Sequence, residues 1–154
     1  MSDDEAYAKM AKQLNTSENA SVRNSEFSPH NSSFAKGASI VERSFEFAVR
    51  VVRLCRFLDD KDRSTRTLAS QLLRSGTSVG ANIEEAQAGQ SKADFTAKMS
   101  IARKEARETL YWLKLLKAAE IVEAEKLSGI TKEADELVRI LTSIVKTSQL
   151  GKNS

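Results

Sequence analysis

The stretch Leu72–Leu116, LLRSGTSVGANIEEAQAGQSKADFTAKMSIARKEARETLYWLKLL, decides the fold. Up to Ala88 its apolar and small residues, Leu72, Ser75/Gly76, Val79, Ile83 and Ala86, recur at heptad spacing, which is the stripe of an amphipathic helix. After a short polar break at Gly89-Gln90-Ser91, a second stripe begins: Phe95, Met99, Ala102, Ala106, Thr109, Leu113 and Leu116 step strictly by four and three. Gly89 reads as the stop of the first helix, and Ser91 with Asp94 three residues on reads as a capping-box variant opening the second. Two long helices joined by so short a connection fold back on each other as an antiparallel hairpin.

The same rhythm extends in both directions. Upstream, Val41, Phe45, Ala48, Val52 and Cys55 form one stripe, and Phe47, Val51, Leu54 and Leu58 form another beside it. The first is assigned to the bundle core. The second makes this helix wider in apolar face than one core needs, and Phe47, Val51 and Leu54 are read as surface for self-association, together with the aromatics Tyr111 and Trp112. The polar run Asp59–Ser64 ends this helix, and Ser64 or Thr65 is expected to cap the next, from about Arg66. The third helix is expected to end near Ile121. Downstream, Leu127, Ile130, Ala134, Leu137, Leu141 and Ile144 supply a fourth helix. Four helices with short connections predict an all-α, up-down-up-down antiparallel four-helix bundle over residues 39–150.

Aligning each hairpin about its turn puts Ala48, Gly76, Ala106 and Leu137 near one level and Phe45, Val79, Ala102 and Leu141 near the next, so that large residues meet small ones. Gly76 and Gly80 would each cost about 1 kcal/mol relative to alanine in an exposed helix, and close backbone packing is the reason to keep them. Alanine at Gly76 is expected to be tolerated and leucine to overpack. The same alignment sets Arg74 beside Glu105 or Glu108 and Glu85 near Lys98, an arrangement read as interhelical ion pairs that hold the register of the hairpin.

Residues 1–38 have no sustained apolar period, are rich in Ser and Asn, and hold the only Pro and His of the 154-residue chain. They are expected to be a disordered tail, with a transient helix over Asp4–Leu14 at most. Residues 151–154 are expected to be a disordered C-terminus. The net charge of +3 resides wholly outside that tail, where basic residues are outnumbered by acidic ones. No apolar run reaches membrane-spanning length, and the N-terminal Met1-Ser2-Asp3-Asp4-Glu5 has neither a basic nor an apolar signal region, so a cytoplasmic protein without membrane contact is expected. The lone Cys55 fits a reducing compartment.

No constellation for chemistry emerges. Glu84, Glu85, Glu105 and Glu108 resemble half of a carboxylate-bridged metal site, but the histidines that complete such sites in helical bundles are missing. Ser75, Thr77 and Ser78 have no histidine base, and Gly76, Gly80 and Gly89 match neither phosphate-loop nor dinucleotide spacing. No catalytic residue, metal or cofactor is therefore predicted. Basic residues are the remaining lead. Arg103, Arg107, Lys114 and Lys117 follow one another at offsets of four, seven and three along one outward strip, and Arg50 and Arg53 add to it from the first helix. Such rows follow a phosphate backbone or simply face solvent, and the nearby acids Glu46, Asp59, Asp60 and Asp62 weigh toward solvent.

The segment Arg74–Ala86, RSGTSVGANIEEA, followed by Lys98–Thr109, KMSIARKEARET, and by Tyr111-Trp112-Leu113, resembles two signature segments of the small bacterial proteins associated with intervening sequences in 23S rRNA genes, a family akin to the accessory variability determinants of diversity-generating retroelements. The resemblance spans about Val41 to Thr147, with Ala86 where many members have Gly. It implies a four-helix bundle that assembles as a homopentamer, without enzymatic activity. For the retroelement relatives it implies binding to nucleic acid and a reverse transcriptase. The expected function is a non-enzymatic oligomeric scaffold binding RNA, DNA or a nucleoprotein partner; the alternative is a protein-protein adaptor ring without nucleic-acid binding.

Overall fold

The computed structural model describes residues 37–150, which form four helices: α1 Ile40–Leu58, α2 Arg63–Gln87, α3 Lys92–Ala118 and α4 Ala124–Leu150. Nearly all of the predicted tail and residues 151–154 lie outside the described residues. Each helix packs on the next in chain order, and α4 returns to touch α1 more sparingly, so the four close into an antiparallel bundle. No described helix is long and apolar enough to cross a membrane.

The ends of the helices follow from local chemistry. Ser39 caps α1 in a full capping box: its hydroxyl accepts from the Glu42 amide at 3.2 Å while the Glu42 carboxylate accepts from the Ser39 amide at 2.8 Å. Helix α2 starts earlier than the sequence suggested. Asp62, not Ser64 or Thr65, is its N-cap, because one carboxylate oxygen accepts from the amides of both Ser64 and Thr65, at 2.9 and 3.1 Å. These hydrogen bonds, with those from the two hydroxyls, hold the Asp62 carboxyl well below the usual carboxylate range. Ser91 caps α3 as expected, accepting from the Asp94 amide.

Helix α3 stops at Ala118 rather than near Ile121, and the cause is Glu120 in the left-handed region at φ 55°. The Glu120 amide donates to the Lys117 carbonyl and the Ile121 amide to the Leu116 carbonyl, both at 3.1 Å, which is the double closure of a Schellman turn. Glycine is the usual occupant of that position. Replacing the exposed Glu120 with Gly should therefore raise stability by roughly 0.5 to 1 kcal/mol, relieving the left-handed penalty at some cost in chain entropy. Chemical denaturation of the two proteins checks this, and a less stable glycine variant would mean the glutamate side chain contributes something the turn geometry does not show.

The core reverses the assignment of the two α1 stripes except at Cys55, which is buried as expected. Phe47, Val51 and Leu54 are completely buried inside the single bundle, and so they are not an assembly surface. Phe45 and Val52, predicted as core, are instead 68% and 36% exposed, and Val41 and Ala48 are half-buried. Both stripes satisfy helical spacing equally; what separates them is volume, since Phe47, Leu54 and Leu58 fill the end of the core formed with Leu72, Leu113, Leu116 and Leu127. The predicted levels shift accordingly: Gly76 faces Val51 rather than Ala48, while Val79, Ala102, Ala106, Leu137 and Leu141 are buried as expected. Trp112 also departs from expectation. It is half-buried against the core and its indole Nε1 donates to Glu108 at 3.2 Å, leaving Tyr111, 57% exposed, as its edge-on neighbour.

Candidate nucleic-acid interface

Ion pairing sorts the basic side chains into two groups. On the α2–α3 seam Arg74 donates to Glu108 at 2.7 Å, and Lys98 pairs with Glu85, as the hairpin register predicted. Glu105 is not the partner of Arg74. Its Oε2 is buried without a hydrogen-bond partner among the described residues.

The α1–α4 seam holds two pairs that a helix-by-helix reading missed. Arg43 donates to Glu136 at 2.8 Å, and both Nε and Nη2 of Arg50 approach one oxygen of Glu133 at 2.6 Å. Arg50 is thereby removed from the predicted phosphate-contacting set: its guanidinium is spent inside the bundle on a carboxylate only 2% exposed. The sequence signal was present as Arg43 and Arg50 one heptad apart on α1, but nothing local showed which carboxylates of a non-adjacent helix would meet them. Burial pushes the Glu133 carboxyl up, against the opposing pull of Arg50.

The second group has no such partners. Arg107, Lys114 and Lys117 are exposed and Arg103 half-buried on α3, and none of the four makes an ion pair among the described residues. The strip runs about 21 Å along the helix, given a rise of 1.5 Å per residue. Arg53 is likewise exposed and unpaired, on α1. Helix α4 adds a cation that the sequence reading overlooked: Lys132 lines a groove with Lys114 and Lys117, which a helix-by-helix search for rows could not reveal.

Among the described residues no three His, Cys, Asp or Glu side chains gather as a group able to hold a metal ion. The thiol of Cys55 is 7% exposed, donates to the Ala69 carbonyl at 3.3 Å, and is pushed up by burial to about 12, which leaves it protonated at neutral pH.

Comparison with known proteins agrees with this architecture. A search of curated proteins finds no match. A crystal structure of a protein of unknown function from the S23 ribosomal protein family of Bacteroides thetaiotaomicron VPI-5482 is similar at 45% identity and a TM-score of 0.66, covering 70% of this chain and 99% of that one. The profile of the 23S rRNA-intervening sequence proteins matches residues 36–143, taking in α1, α2, α3 and most of α4. With its signature segments on the α2–α3 hairpin and its helices in the same arrangement, the chain belongs to the 23S rRNA-intervening sequence protein family.

Proposed function

We propose that this protein is a non-enzymatic, oligomeric scaffold that binds RNA, alone or within a nucleoprotein complex, through the basic strip of α3. One observation carries the reading: Arg103, Arg107, Lys114 and Lys117 lie in one line along α3 and make no ion pair among the described residues, whereas the cations of the two helix seams, Arg43, Arg50, Arg74 and Lys98, are all neutralised by carboxylates. Unpaired cations spaced along an exposed helix suit a repeating phosphate backbone. Assembly as a homopentamer is part of the proposal. It is supported by apolar surface that the single bundle leaves uncovered, with Phe45 and Val52 on α1 taking the place that Phe47, Val51 and Leu54 were expected to fill. A ring would present the strip in several copies and multiply each phosphate interaction.

Changing Arg103, Arg107 and Lys114 together to Gln tests the strip. Helicity and assembly should survive, since exposed positions rarely alter stability by more than about 0.5 kcal/mol each. RNA affinity should fall, and the dependence of log affinity on log salt should become shallower by roughly 0.7 for each single-strand phosphate that is no longer neutralised. Light scattering of the wild type should give several times the 17.0 kDa chain mass. Absence of any nucleic-acid binding near 50 mM salt would defeat the reading. The protein-protein adaptor, which the exposed Phe45 and Tyr111 favour, would then replace it.

A further inference from the structure

A groove between the C-terminal half of α3 and the N-terminal half of α4 is lined by lysines from both helices. Its volume is about 450 Å³, and its charged lining consists of Lys114 and Lys117 from α3 with Lys132 and Asp135 from α4. Asp135 is engaged by Arg139 at 2.6 Å, whereas the three lysines have no carboxylate partner among the described residues. Like charges converging on one groove repel, and an anion seated between them reverses the sign of that interaction. Two further features favour a negative ligand. The groove lies at the start of α4, whose first helical residue, Ala124, lines it, and the helix dipole is positive there. Thr131, also in the lining, has a hydroxyl oxygen without a hydrogen-bond partner.

The accessible apolar part of the lining is the half-buried Leu110 with Ala124, beside the exposed Ser128, while Leu127 is fully buried. From this combination we infer that the groove seats one nucleotide unit of single-stranded nucleic acid, its phosphate among Lys114, Lys117 and Lys132 and its ribose or base against Leu110. This rests on the nucleic-acid reading above and assigns it a place and a strand form. A duplex turns its bases inward and offers nothing to an apolar wall, whereas an unpaired nucleotide offers both a charge and a flat apolar face. An acidic peptide would satisfy the lysines. It would not explain why the cations continue from the groove along α3 to Arg107 and Arg103, at a spacing that serves successive phosphates.

Lys132→Gln is the discriminating variant, because Lys132 is exposed, lies outside the α3 strip, and its replacement should leave the bundle intact. Full-length wild type and variant would be titrated with a single-stranded oligoribonucleotide and with a hairpin duplex of the same length. For the single strand, affinity should fall roughly three- to tenfold at 50 mM salt, and the salt slope should become shallower by about 0.7. The duplex should bind more weakly and respond less. A 4-thiouridine placed in the single strand should crosslink within the peptide carrying Leu110. Wild-type affinity and slope in Lys132→Gln, with the α3 triple variant still impaired, would overturn the groove while leaving the strip in place. Unchanged binding in both variants would sink both, and displacement of RNA by polyglutamate but not by pyrophosphate would assign the groove to acidic peptides instead.

Discussion

Replacing Arg50 with alanine should destabilise the bundle by about 3 to 5 kcal/mol at neutral pH, a large share of the roughly 5 to 15 kcal/mol that holds such a domain together. The reason is the carboxylate left behind. Glu133 is 2% exposed, its Oε1 has no hydrogen-bond partner among the described residues, and Arg50 supplies the contacts to Oε2. The destabilisation should depend on pH in a definite direction. With Arg50 present, burial already holds the Glu133 carboxyl above its ordinary value; without Arg50 that opposing pull is gone and the folded-state value rises further. A carboxyl raised on folding favours the folded state fully below its unfolded value, near 4.3, and loses that contribution as pH climbs through the folded value. The Arg50→Ala defect should thus be largest above neutrality and shrink toward pH 4.5. Urea denaturation at several pH values measures it. A defect that is independent of pH would show that Arg50 stabilises through its aliphatic stem alone. Replacing both residues with Leu should be far milder than Arg50→Ala, because no buried charge is orphaned.

The other large effect is at Gly76. A Cβ built there would lie 2.7 and 2.9 Å from the two methyl carbons of Val51, which is fully buried and stiff at its branched Cβ. Gly76→Ala should therefore cost about 1 to 3 kcal/mol of overpacking, offset in part by about 1 kcal/mol of helix propensity, and Gly76→Leu should cost more than alanine. The tolerance for alanine expected from the sequence is overturned, since it assumed Ala48 opposite and the structure puts Val51 there. Gly80 is looser, with the Ser44 carbonyl oxygen 3.4 Å from its hypothetical Cβ. The decisive measurement is a double-mutant cycle. Val51→Ala should restore room, so that Gly76→Ala becomes neutral or stabilising in that background. Additive losses in the cycle would place Gly76 away from Val51 and refute the α1–α2 packing.

How far local pattern reaches is clear from the seams. Arg74–Glu108 and Lys98–Glu85 were legible because α2 and α3 are joined by a short turn, and counting outward from it sets the register. Arg43–Glu136 and Arg50–Glu133 join residues 93 and 83 positions apart in the chain, with two helices intervening, so no such count exists. That is why Arg50 read as a surface cation and proved to be a half-buried one, paired with the buried Glu133. Lys132 was missed for a related reason: a basic cluster assembled from two helices has no signature in either.

The amino-acid sequence by itself determined the number of helices, most of their limits, the antiparallel order and the alignment of the basic residues along α3, because each depends on residues within a few turns or across one short connection. Only the tertiary structure decided which stripe of α1 enters the core, which carboxylates neutralise Arg43 and Arg50, and where Lys114, Lys117 and Lys132 converge. Helical periodicity fixes which residues share a face, but two adjacent apolar stripes present the same period. The choice between them rests on volume and charge contributed by helices distant in sequence, and that information exists only once all four are packed.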